Sequence, residues 1–187
     1  MNTFSPIKRL TVAAVCIALC YVLPIVLHPL GLGSALSPMH IPVLLCGLVC
    51  GGWYGLICGL AGPILSSILS SMPPATALVS MVPELMVYGL SAGLAMKYIR
   101  TKKLYLDLYI CLVIAMVLGR IAGGIVSAFV YLGKGNAFSI GIWAASYITG
   151  TLPGIAIQLV LIPLLVGILM KARVLPARYP KAAKESE

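Results

Sequence analysis

Apolar residues run along this chain in blocks separated by short polar, glycine-rich or proline-rich breaks. Lys8 to Leu27 forms the first block, and His28-Pro29 ends it. The following LGLGSALS stretch, up to Pro38, has glycines and serines but no acid or strong base, so it reads as an external loop. Met39 to Ser71 is apolar throughout. As one helix it would be about 50 Å long, against a hydrocarbon core of ~30 Å, so it must break. Gly51-Gly52 is the natural turn, which predicts a short helix over His40–Cys50 and a longer one over Trp53–Ser70. The short one cannot span alone and has to be tilted, partly unwound or shielded. Glycines 47, 51, 55 and 59 recur every four residues and are expected to be close-packing positions on the two helices.

MPPATA then makes a proline-stiffened external connection, and a fourth helix follows from Ala77 to Met96. Tyr105 to Tyr131 is the fifth. Gly133, Lys134, Gly135 and Asn136 form a polar external turn, and Ile140 to Met170 is the last apolar run. Charge selects this parsing. Splitting at Gly51-Gly52 places three basic clusters on one side of the membrane: Lys8 and Arg9; Lys97, Arg100, Lys102 and Lys103; and Lys171, Arg173, Arg178, Lys181 and Lys184. The expectation is an all-α integral membrane protein, a six-helix transmembrane bundle with both termini cytoplasmic. It forms a single domain over residues 1–171, with a basic, polar and disordered tail over 172–187.

Composition agrees: 61% of the 187 residues are hydrophobic and 9% charged, too apolar for a soluble domain. The net charge of +9 sits mostly in the flanking clusters, so it reads as membrane anchoring rather than nucleic-acid binding. Cys16, Cys20, Cys46, Cys50, Cys58 and Cys111 all fall within apolar blocks and are expected to be small packing residues, not disulfides or metal ligands.

Two charges lie deep inside apolar blocks, Glu84 in PELMVYG and Arg120 in VLGRIAGG. An ionised group there costs at least ~2.5 kcal/mol, so each needs a partner, a cavity or a ligand. Counted along antiparallel helices, both lie roughly 10–17 Å below the outer surface and can pair. One reading is a buried salt bridge between the fourth and fifth helices. Another is a binding site in which Arg120 meets a carboxylate or phosphate and Glu84 an amine, amide or hydroxyl. Ser80 and Tyr88 lie four residues either side of Glu84, and Gly124, Ser127 and Tyr131 continue the stripe from Arg120. His40, opening the short helix, and Asn136, in the external turn, complete the candidate substrate-binding set. Walker, HExxH and nucleophile-elbow motifs are all missing, and no catalytic residue, cofactor or metal is expected.

The succession of a basic first helix with Ala14 and Ala18, a neutral loop, then LSPMHIPVLLCGLVCGGWYGLICGLAGPILSSILSSMPP and PELMVYGLSAGL resembles the substrate-binding S components of energy-coupling factor (ECF) vitamin transporters. The resemblance implies a six-helix subunit of a prokaryotic plasma membrane that captures a vitamin or related micronutrient from outside. It also implies partnership with a transmembrane coupling subunit and two cytoplasmic ATPases, with Ala14 and Ala18 as the docking motif for the coupling subunit. Two other readings stand beside it: a structural or assembly subunit locked by Glu84 and Arg120, and a small lipid-acting membrane enzyme.

Overall fold

A computed structural model describes residues 5–28, 37–133 and 152–171 of the chain. Among them lie six helices: α1 (Pro6–Leu27), α2 (His40–Cys50), α3 (Gly52–Ser70), α4 (Ala75–Tyr98), α5 (Leu104–Gly133) and α6 (Leu152–Lys171). All but α2 are long and apolar enough to cross a bilayer, and no strand occurs among the described residues. The all-α membrane bundle expected from the apolar blocks is therefore the fold. The tail at 172–187 and Asn136 lie outside the described residues, as does the start of the last apolar run.

Local sequence explains where the helices begin and end. Ser5 caps α1 by accepting from the Lys8 amide at 3.4 Å, and Pro6 occupies the first turn, where its missing N–H is no loss. Gly51 sits at φ 105°, so a residue with a side chain would be strained at the α2–α3 turn. Gly51 is thus needed for its turn conformation: nothing lies within 4 Å of where its own Cβ would stand, and the close approach at this point comes from Gly93, whose Cβ would stand 2.6 Å from the Gly51 carbonyl carbon. The α3–α4 connection is tied down by Ser66, whose hydroxyl donates to the Met72 carbonyl at 2.7 Å, and by Ser67, which donates to the Pro73 carbonyl at 3.0 Å. At the opposite end of the bundle Asp107 is fully buried and accepts from the Thr101 amide at 2.8 Å and hydroxyl at 2.6 Å. These bonds fasten the basic connection to the first turn of α5.

The short helix is the centre of the bundle. Ten residues of α2 are buried, leaving only Val49 partly accessible, which is the pattern of a helix apolar on every side. At about 16 Å it reaches half-way through a hydrocarbon core, and lipid could not satisfy its ends. The structure answers with shielding, because α1, α3, α4, α5 and α6 all pack on it.

Glycine sets the closest crossing. A Cβ on Gly47 of α2 or Gly55 of α3 would strike the Gly89 carbonyl of α4, and one on Gly55 would also stand 2.7 Å from the Gly47 α-carbon. Gly59 meets the Leu85 backbone in the same way. Three backbones thus touch directly, as small residues permit where lipid supplies no hydrophobic drive. Helix α1 turns Ala13, Cys16, Cys20 and Pro24 inward. The thiols of Cys16 and Cys20 gather with those of Cys46, Cys50 and Cys58 in the seam between α1, α2 and α3. All six cysteines are buried and unbridged.

Candidate functional site

Glu84 lies nine residues into α4 and Arg120 thirteen residues before the end of α5, so both sit about 14–20 Å from those helix ends. Their side chains meet: Arg120 Nε is 3.8 Å from Glu84 Oε1. The first turn of α2 brings a third group, with His40 Nε2 at 3.6 Å from the same oxygen. Tyr88, one helical turn beyond Glu84, packs edge-on against the His40 ring with centroids 5.1 Å apart, and its phenol feels both the carboxylate and the guanidinium. Four polar side chains from three helices therefore form one cluster, with His40 and Arg120 approaching the same oxygen of Glu84.

Burial makes the cluster costly unless it is used. Glu84 is 4% exposed, His40 5% and Tyr88 1%, while the Arg120 side chain keeps 17% of its surface accessible. The two approaches to Glu84 Oε1 exceed hydrogen-bonding distance, and no group among the described residues hydrogen-bonds that oxygen. Proximity without a direct bond leaves Glu84 Oε1 able to accept from another donor.

The histidine has a defined orientation. Its Nδ1 lies 3.2 Å from the Ser37 carbonyl, which can only accept, so the geometry assigns a proton to Nδ1.

Room for this arrangement comes from α5. A Cβ on Gly119 would stand 2.8 Å from the Tyr88 ring, and one on Gly123 would stand 2.8 Å from Glu84 Oε2. The two glycines flank Arg120 and face the acidic helix, so backbone approach, not loop geometry, closes the site. They were not among the sequence candidates. Their four-residue spacing in VLGRIAGG is the signal that could have found them.

Of the sequence candidates, His40, Glu84, Tyr88 and Arg120 are brought together. Ser80 stands one turn nearer the start of α4, half-buried, and donates to the Ala77 carbonyl at 3.2 Å. Tyr131 is 51% exposed and three turns along α5 from Arg120, away from the cluster. Asn136 lies outside the described residues. Ala14 and Ala18 are exposed on the outer face of α1, among Leu10, Val15, Leu19 and Val22. No group of His, Cys, Asp or Glu among the described residues has the arrangement to hold a metal ion.

The family described as ECF transporter, substrate-specific component, matches the chain over residues 8–172, which takes in every described helix except the first residues of α1. The chain belongs to that family. Searches among curated proteins and among solved structures returned no match. Membership makes the chain a multi-pass membrane protein that binds a small-molecule substrate in ECF transport and associates with the ECF module in the membrane. The family is one of transporter substrate-binding subunits, not of enzymes.

Proposed function

We propose that this chain captures a vitamin or related micronutrient at the His40–Glu84–Tyr88–Arg120 cluster and delivers it through an ATP-driven importer of the cell membrane. The observation that carries the reading is the convergence of His40 and Arg120 on Glu84 Oε1 at 3.6 and 3.8 Å inside an apolar bundle. A guanidinium has five donors, more than one carboxylate can take, so a ligand acid or carbonyl fits against Arg120. Glu84 accepts from a ligand amine, amide or hydroxyl. Tyr88 and the apolar walls supply the remaining contact, which is the composition small-molecule sites have.

Delivery rests on partners: a transmembrane coupling subunit seated on the outer face of α1 at Ala14 and Ala18, and two cytoplasmic ATPases. In this reading both termini and the basic clusters are cytoplasmic and the ligand enters from the opposite side. The decisive experiment is purification followed by mass spectrometry of co-purified small molecules, with a vitamin panel scored by thermal shift. Retention of a vitamin-like compound supports capture. If nothing is retained and no compound in the panel shifts the melting temperature, the reading falls.

A structural lock between α4 and α5 is the second reading, favoured by the 5% exposure of the Glu84 side chain beside Arg120. Under that reading Glu84→Gln lowers the melting temperature of the ligand-free protein and changes no ligand response.

A further inference from the structure

At the end of the bundle where the basic clusters lie, α5 and α6 part to leave a groove of about 440 Å³ open on the outer surface of the bundle. It is remote from the Glu84 cluster. Its walls are apolar: Val160 and Leu164, exposed by 68% and 53%, line one side on α6, and Tyr105 and Tyr109 line the other on α5. Gly167 forms part of the floor, where a Cβ would stand 3.1 Å from the Tyr105 hydroxyl. Lys171 closes the groove at the membrane boundary. The exposed Lys102 and Lys103 immediately precede α5, three and two residues before Tyr105.

Length and charge together select an occupant. From Val160 to Lys171 the α6 wall runs about 16 Å, half the ~30 Å hydrocarbon core and hence one leaflet. The apolar floor therefore spans the depth of a single acyl chain, and its cationic mouth stands at headgroup level. The phenol of Tyr105 offers a hydrogen bond at that same level, as interfacial tyrosines do.

We propose that this groove is a binding site for one anionic phospholipid, its acyl chain along Val160 and Leu164 and its phosphate at Lys171 with Lys102 and Lys103. The site is independent of the substrate cluster and needs no partner subunit. Basic pockets between membrane helices recognise anionic headgroups on this principle, each lysine near the surface adding about a five-fold preference.

The test uses the full chain, delipidated in detergent and offered phosphatidylglycerol or phosphatidylcholine of identical acyl composition, with native mass spectrometry reading the lipid retained. One phosphatidylglycerol per chain should survive washing that strips phosphatidylcholine. Gly167→Phe, which fills the floor, should reduce phosphatidylglycerol to the phosphatidylcholine level. Lys171→Gln, on an exposed side chain, should cut the preference about five-fold and keeps the test open if Gly167→Phe does not fold. Equal retention of both lipids by the wild-type chain overturns the proposal, and so does undiminished retention by the folded variants. If truncation after Lys171 unmasks a retention absent from the full chain, the groove belongs to the chain's own C-terminal residues and the proposal fails.

Discussion

A buried carboxyl oxygen with Arg120 Nε at 3.8 Å and His40 Nε2 at 3.6 Å, both beyond hydrogen-bonding distance, defines the site at the scale of single residues. Removing Glu84 altogether strands Arg120 in the bundle, so Glu84→Ala should destabilise by about 3–5 kcal/mol, measured as reversible unfolding in detergent. Glu84→Gln keeps the shape and one acceptor. For a binding site, the melting temperature of the ligand-free variant should stay near that of the wild type while the ligand-induced rise disappears; a large fall without ligand would instead mark a lock. Gly123 offers a subtler probe. Its α-carbon leaves the space that Glu84 Oε2 uses, so Gly123→Ala must push the carboxyl aside. A drop in ligand affinity of about ten-fold, worth about 1.4 kcal/mol, is expected from calorimetric titration with the identified ligand.

Among the elements, the triple contact of α2, α3 and α4 is what holds the short helix in place. Gly89→Ala sets a Cβ against the Gly55 backbone, which cannot yield as a side chain would. Overpacking of this kind typically costs about 1–3 kcal/mol, and here the variant should also lose ligand binding, because α2 carries His40 to the site. Binding retained at wild-type affinity would detach His40 from ligand capture. Helix α1 works the other way, with its inner stripe packed and its outer face turned away from the bundle. Replacing Ala14 and Ala18 by leucine should leave ligand binding intact and abolish transport reconstituted with the coupling subunit and ATPases. Equal loss of both activities would argue against docking on that face.

For the whole molecule, orientation across the membrane is the quantity to measure, and the buried cysteines make it measurable. All six native thiols are buried, so background labelling of the folded chain should be low. Thr76 and Lys102 are both exposed, Thr76 in the first turn of α4 and Lys102 just before α5. The single variants Thr76→Cys and Lys102→Cys should react with an impermeant maleimide from opposite sides of the membrane, Lys102→Cys from within. Reaction of both from one side would refute the bundle topology.

The sequence alone determined the solvent of this protein, the break at Gly51-Gly52 between two of its described helices and the existence of two intramembrane charges at one depth. Those properties are local: hydropathy, turn residues and helical rise act along the chain, and a glycine pair inside an apolar run too long for one span already demands a break. Only the tertiary structure decided which side chains share the site. His40 is forty-four residues from Glu84 and reaches it because α2 is buried among five other helices, a position set by Gly47, Gly55 and Gly89 meeting backbone to backbone. Along the stripe read from Arg120 to Tyr131, eleven residues of helix carry Tyr131 about 16 Å from the cluster to an exposed position. Periodicity specifies a face of a helix; the height at which that face meets another helix is fixed by close contacts between residues far apart in the chain.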